Sequence, residues 1–518
     1  MGSPWPAPSA DDQVVRRGPN YALRRAVVAL VIVAVIGAGI AWWVGRGGSD
    51  DDGEAGTEQW DTLVLQDERT GKLTLVDPQG EEIDTFRTDL HGLLDVGLAD
   101  RLIVGVAGDP TTDGLGVIDL ESGEVTPIEV ETHTISRLDA SPYLLASGGP
   151  RDPLALVDVA AGEVIDLLSF AENDDPIVSP GLVRIDPSHA HVAYTELGEL
   201  ETVLVDVEAR TSSSLAGTLA DLGDDAVLTL TNRGATSLAD LYGLDGERVG
   251  TVETDAAAGG LVLDDRSALV ITRSGRLVHV DFDDESVDEL GSVAEHLVGD
   301  SSGESASGST DGTDADLVRT IVPILDRTRL AVLSRQGMVV IDVEGNTIAT
   351  DRMTDPAVAR PATSTDRCVL IGGKDSEQTL WDVTDGTRIE TFDPGFLTGR
   401  SADGCTVTYA ETAAPVETGD STVPDGTSGT TGTSDTEGTS ATSATNVTSG
   451  AGDRPGGALA RLVGPEVDER VDGELGAVAP NGRSAIGRDD EGAFILDAES
   501  GDRTDVAVDT LFAVFIDR

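Results

Sequence analysis

The stretch LALVDVAAGEVIDLL, Leu154–Leu168, decides the fold. Its first half alternates and closes on Asp158, Gly162 sits in the middle, and a second apolar run follows. Alternation sends side chains to opposite faces with a period of two, which a strand satisfies and a helix does not. Asp followed closely by Gly is turn chemistry. The unit is therefore a β-hairpin, and it recurs. LTLVDPQGEEIDTF ends at Phe86, LGVIDLESGEVTPIEV at Val130 and TVLVDVEARTSSSL at Leu215. ADLYGLDGERVGTV ends at Val252, RLVHVDFDDESVDEL at Leu290 and GMVVIDVEGNTIAT at Thr350. TLWDVTDGTRIETF ends at Phe392 and GAFILDAESGDRTDVAV at Val508. ALARLVGPEVDERV, ending at Val471, carries Gly464 where the Asp belongs.

The strand-ending positions fall 33 to 48 residues apart, except for intervals of 61 and 82. Both long intervals hold low-complexity inserts, 301–316 and 411–457, whose removal restores a spacing near 40. The other half of each unit also reads as turn, strand, turn, as in SPYLLASGG (Ser141–Gly149) and SHAHVAYTE (Ser188–Glu196). A period near 40 with four short strands per unit is the signature of a β-propeller. The expected class is all-β: four-stranded blades, 7–10 repeats of about 40 residues, following a single N-terminal transmembrane helix. The first hairpin begins near Trp60 and the chain ends in TLFAVFIDR, so the two ends are expected to complete one blade together and hide its edges. Both inserts lie in connections that leave from the same face, opposite the compact Asp/Gly turns.

LWDVTDG (Leu380–Gly386) resembles the strand-end motif of WD40 repeats, and LALVDVAAGEVIDL resembles the quinoprotein repeat. From roughly Trp60 to Arg518 the chain is similar to the WD40-like and quinoprotein-like (PQQ-like) propellers of bacterial envelope proteins. The resemblance implies a propeller scaffold. A quinoprotein dehydrogenase would also need a Trp floor, an adjacent Cys pair and a metal site. This region holds only Trp60 and Trp381 and no Cys-Cys, so the scaffold is expected without cofactor or redox activity.

Residues 26–44, AVVALVIVAVIGAGIAWWV, contain no charge. At 1.5 Å per residue they would span about 28 Å, enough for a bilayer core. Arg16, Arg17, Arg24 and Arg25 precede them, so the positive-inside rule keeps residues 1–25 in the cytoplasm. Residues 45–59, Gly-rich and acidic, read as a flexible tether, and 60–518 as the propeller ectodomain. The expected localisation is the cell membrane of a bacterium, high-GC Gram-positive by its composition, single-pass, with an extracytoplasmic C-terminal domain. A cleaved signal peptide ending near Ala41 is the alternative.

Composition removes whole classes. Of 518 residues, 94 are Asp or Glu and 35 are Lys or Arg, a net charge of -59. Phosphate binding needs cations to replace counterions, so nucleic acid is excluded as a partner. Aromatics make up 3%, which disfavours stacking clefts for sugars. Lys occurs only at Lys72 and Lys374, as a GC-rich genome or adaptation to high salt would produce.

The candidate chemistry is sparse. The repeated Asp77, Asp119, Asp158, Asp206, Asp281, Asp342, Asp382 and Asp497 are assigned to the hairpin turns, as acceptors of backbone N–H groups. His189 and His191, two apart in a strand, would share a face and form half a metal site; with no third ligand they read as surface or channel residues. The clusters Asp50–Asp52, Asp283–Glu285 and Asp311–Asp316 lack EF-hand spacing and read as solvated loops. Cys368 and Cys405 occupy matching places in consecutive repeats, STDRC and SADGC, 37 residues apart. They are either bridged between neighbouring blades or two separate buried thiols. No catalytic, cofactor or metal residue is assigned. The function expected is a membrane-anchored, non-catalytic binding or scaffold module for a protein or glycan of the envelope. The alternative is an enzyme or ligand sensor with a site in the central channel.

Overall fold

The computed structural model of the chain describes residues 62–516, apart from 298–316, 412–458 and several shorter loop stretches. The expected tail (1–25), membrane helix (26–44), tether (45–59) and almost all of both inserts lie outside the described residues, as do Asp50–Asp52 and Asp311–Asp316. Glu411, the first residue assigned to the longer insert, instead ends a strand.

The described residues form ten four-stranded antiparallel sheets, taken here as blades. Blade 1 joins Thr62–Arg87 to Phe512–Ile516. Blade 2 is Leu90–Ile128, blade 3 Thr134–Asp166, blade 4 Arg184–Ala216 and blade 5 Thr218–Asp255. Blade 6 is Ala257–Ser292, blade 7 Thr320–Asp351, blade 8 Ala357–Phe392, blade 9 Gly395–Asp472 and blade 10 Glu474–Val506. Within blades 2–10 the strands pair in sequence order, first to fourth.

Ten separate apolar cores connect these blades, and each core lies between two neighbours. The tenth joins blade 10 to blade 1 through Ile486, Ile495, Leu63 and Leu65. The blades therefore form one closed ring, at the upper end of the expected repeat number. The period of two explains how. Leu63 and Leu65 point into the core shared with blade 10, whereas Val64 points into the core shared with blade 2, beside Leu90 and Ile118. Central strands are buried on both faces, which is why LTLV, LALV and VVI read as continuous apolar runs.

The ends of the described chain close the ring. Phe512–Ile516 pairs antiparallel with Thr62–Asp67, with Val64 opposite Val514. This gives blade 1 its innermost strand and pairs the edge that Thr62–Asp67 would otherwise present.

One expectation is corrected by this architecture. No helix among the described residues is long and apolar enough to cross a membrane. The described helices, Ala294–Leu297 and the 3-10 turn Leu167–Phe170, have four residues each, about 6 to 8 Å of rise, against the ~30 Å of a bilayer core. The single-pass localisation with an extracytoplasmic C-terminal domain is withdrawn on that finding.

Candidate functional site

The repeat builds two different faces. In an antiparallel blade the first–second and third–fourth turns leave from one face. The second–third and blade-to-blade connections leave from the other. The 412–458 stretch interrupts a second–third connection, and 298–316 interrupts a blade-to-blade connection, so their flanking strands end on the same face.

The turn face is built from capped aspartates. Asp119 Oδ1 accepts the N–H groups of Glu121 (2.9 Å) and Ser122 (2.8 Å) and the Ser122 hydroxyl (3.0 Å). Asp497 repeats this with Glu499, Ser500 and the Ser500 hydroxyl. Asp77 accepts from Gln79 and Glu81, Asp158 from Ala161, Asp206 from Ala209 and Asp281 from Asp283 and Asp284. Asp342 accepts the backbone N–H of Asn346 on Oδ1 and its side-chain amide on Oδ2, and Asp382 accepts the N–H of Thr384. Blade 9, which carries Gly464 in place of the Asp, has a tighter hairpin: Gly464 pairs directly with Val467.

Burial raises the Asp382 carboxyl, but hydrogen bonds from Arg367 and Thr384 outweigh it and leave the group below its ordinary range. Asp342 behaves alike: burial raises it, and the two Asn346 bonds lead the lowering.

Cys368 and Cys405 form a disulfide with Cα atoms 4.7 Å apart. Cys368 opens the second strand of blade 8 and Cys405 lies two residues before that of blade 9, Val407–Glu411, so the bond staples neighbouring blades at the turn face. Asp403 reinforces the joint, its carbonyl accepting the N–H groups of Arg367 and Cys368, each at 3.0 Å.

His189 and His191 do not share a strand face. His189 lies in the turn with φ 62°, and only His191 enters the strand His191–Glu196. His191 Nδ1 is 3.7 Å from Asp186 Oδ2, and its Nε2 is 4.0 Å from Asp206 Oδ2. Among the described residues no group of three or more His, Cys, Asp or Glu is placed to hold a metal ion.

The innermost strands, which face the channel, are rich in small and apolar residues, as in Ala257–Val262 (AAGGLV), Thr320–Ile324 (TIVPI) and Gly395–Arg400 (GFLTGR). Charge enters these first strands at Arg137, Arg184, Asp221, Arg400 and Glu474. Asp221, buried in the first strand of blade 5, accepts the Val262 N–H of blade 6 at 2.7 Å and the Arg327 guanidinium of blade 7. One carboxylate thus ties three blades together. Arg327 is aimed inward by an unusual turn in which Leu325, Asp326 and Arg327 all take left-handed φ values of 51°, 50° and 63°. Each such non-glycine residue costs roughly 1–2 kcal/mol, and the Asp221 contact offsets part of that. Arg184 also faces the channel. It keeps contact with solvent there while the surrounding strands crowd it. That desolvation pulls its guanidinium below the ordinary arginine range, and Asp221 and Asp139 only partly restore it. Sequence reasoning missed Arg184, Asp221 and Arg327. The available signal for Arg184 and Asp221 was a charge inside a short first strand, in VRID and LADL.

No known protein family matches the sequence, and no curated protein does. Among solved structures, the chain is similar to BamB from Moraxella catarrhalis, at 14% identity over 70% of this chain and 94% of that one, TM-score 0.34. It is similar to the β-propeller domain of Myceliophteria thermophila Cps50 (Swd1), at 13% identity over 60% and 92%, TM-score 0.31. It is also similar to the dihydro-heme d1 dehydrogenase NirN, at 13% identity over 64% and 73%, TM-score 0.36. The fold assignment rests on the ten sheets and their cores.

Proposed function

We propose that the protein is a non-catalytic binding module that docks a protein partner on a rim of the propeller. The observation that supports this is the make-up of the channel wall. Its strands are largely small, apolar and hydroxyl-bearing, and its buried carboxylate Asp221 is committed to Arg327 and Val262. General acid–base catalysis needs a proton donor or acceptor within reach of substrate, and Asp221 is already satisfied. A protein is favoured over a glycan because Trp381 is buried in the blade 7–8 core, away from any sugar-stacking surface. The turn face supplies the rigid platform: its loops are short and pinned by the Asx bonds described above.

The test is crosslinking capture from source cells with the full chain, repeated with variants altered on one face only. The reading expects one saturable, stoichiometric protein partner, lost on altering the turn face and retained on deleting 301–316 and 412–457. Absence of any saturable protein partner, with turnover of a small molecule by the purified chain, would refute it.

A further inference from the structure

The fourth strand of each blade pairs with one neighbour only and forms the outer edge of its sheet. Among the described residues seven large apolar side chains are exposed, and five lie on these outer strands: Ile83, Val164, Val249, Val287 and Leu290. Three of the five gather on blades 5 and 6. Their outer strands, Arg248–Asp255 and Ser286–Ser292, are also the longest, 8 and 7 residues against 4 to 6 elsewhere. Blade 6 carries two exposed apolar residues, one on each side. Val287 stands opposite Val280, which lies in the core shared with blade 5, and directly opposite residues share a face. Leu290 is skipped by the ladder, and a Cβ on Gly345 of blade 7 would lie 3.3 Å from its own Cβ, which places it toward that blade. Arg276 steadies the edge: it ion-pairs with Asp255 of blade 5 and lies 3.9 Å from Glu289. Neither Lys nor Pro, the usual guards of an exposed edge, occurs in Ser286–Ser292.

We propose that the outer edge of blade 6 pairs with an extended basic segment of a partner protein, in which Lys or Arg alternates with apolar residues. The inference rests on the docking reading above and supplies the partner's chemistry. An added strand is held by main-chain hydrogen bonds, while its side chains alternate between the two faces of the sheet. Val287 and Leu290, on opposite sides, each gain a cross-strand apolar contact from such a segment. The charge preference comes from DDESVDE, Asp283–Glu289, with five carboxylates in seven residues. Arg266 pairs with Asp283, and Arg276 lies beside Glu289. Asp284, Glu285 and Asp288 form no ion pair among the described residues. Like charges facing each other destabilise a strand pair and opposite charges support it. The same carboxylates therefore repel the acidic edge of a second copy of this chain and admit a basic strand.

Fluorescence anisotropy tests it, with the full chain titrated into one of three labelled peptides: KVRVKVR, KGRGKGR of equal charge without apolar side chains, and EVEVEVE. Saturable binding of KVRVKVR is expected, with the other two weaker by about tenfold or more. Hydrogen exchange should slow on binding at Ser286–Ser292 and on no other outer strand. Glu285→Lys with Asp288→Lys should weaken binding by about tenfold or more. Glu499→Lys with Asp502→Lys makes the same charge change on the exposed turn of blade 10 and should alter it by no more than about twofold, which separates a local site from the net charge. Val287→Ser with Leu290→Ser leaves the charge unchanged and should weaken binding about fivefold, with an unaltered circular dichroism spectrum. No saturable binding of KVRVKVR, equal binding of KGRGKGR, or equal loss in the blade 6 and blade 10 charge variants would overturn the proposal. Partner capture undiminished in both blade 6 variants would also overturn it and leave the docking reading standing, whereas absence of any captured partner from the unaltered chain would remove that reading itself.

Discussion

Gly123 and Gly162 occupy equivalent hairpin turns with nearly the same backbone, φ 69° and 67°, yet their surroundings differ. A Cβ on Gly162 meets nothing within 4 Å, whereas one on Gly123 would lie 2.3 Å from the Phe86 ring of the neighbouring blade. Gly162→Ala should therefore cost only the left-handed penalty, about 1 kcal/mol. Gly123→Ala should cost roughly 1–3 kcal/mol more, because Phe86 must move within a packed interface. Urea denaturation of the two variants measures the difference, and equal losses would show that the Phe86 contact is not held. In the same turns, Asp119→Ala removes a carboxylate serving three donors and should cost about 0.5–2 kcal/mol, as capping losses do. This chemistry was fully legible in the sequence, because an Asx turn is made by residues within four of one another. His189 was misread for the opposite reason: nothing in HAH reveals that its first residue turns left-handed before the strand begins.

At the scale of the strand and the blade, the third–fourth hairpins were all legible and the first strands were not. Third strands are buried on both faces and carry long apolar runs. First strands are short, bulged or rich in glycine, as with the two-residue Arg184–Ile185 and AAGGLV, and their signal is tertiary. The channel site lies on them, so the candidate site was almost entirely hidden. The joint between blades 8 and 9 carries two predictions. Reducing Cys368–Cys405 removes a crosslink closing a loop of 37 residues, worth up to roughly 4 kcal/mol on the chain-entropy estimate. Hydrogen exchange should then rise first at Cys368–Gly372 and Val407–Glu411; uniform exchange across all blades would contradict a local staple. Nearby, Arg367 holds the Asp382 carboxyl below its ordinary range. Stability from a depressed carboxyl is complete above its unfolded pKa near ~3.9 and is lost as pH falls through the lower folded value. Arg367→Gln should thus cost about 0.5–1 kcal/mol at neutral pH, half-exposed pairs being screened, and the deficit should vanish in acid. A deficit that grew as pH fell through 4 or below (~4) would reverse the sign and refute the assignment.

Across the whole molecule, charge and closure dominate. A net charge of -59 makes the folded chain repel itself, and salt screens that repulsion within a Debye length of about 10 Å at 0.1 M. Thermal stability should rise between ~0.01 and ~0.5 M sodium chloride; a fall would show that attractive surface pairs outweigh the repulsion. The sequence bounded the repeats at 7–10, but neither the blade number nor whether the units make one ring or two was readable, since closure depends on residues 450 apart meeting in register. Closure is the claim on which the channel and both faces depend. Its direct test is a cysteine pair placed across the closing ladder. Val64 and Val514 lie opposite each other and share one core, so Val64→Cys with Val514→Cys should oxidise to a disulfide in the folded chain, leaving no free thiol on denaturation. Val64→Cys with Phe515→Cys places the sulfurs on opposite faces and should stay reduced. Two free thiols in the Val64/Val514 variant, or equal oxidation of both pairs, would contradict the closed ten-bladed ring.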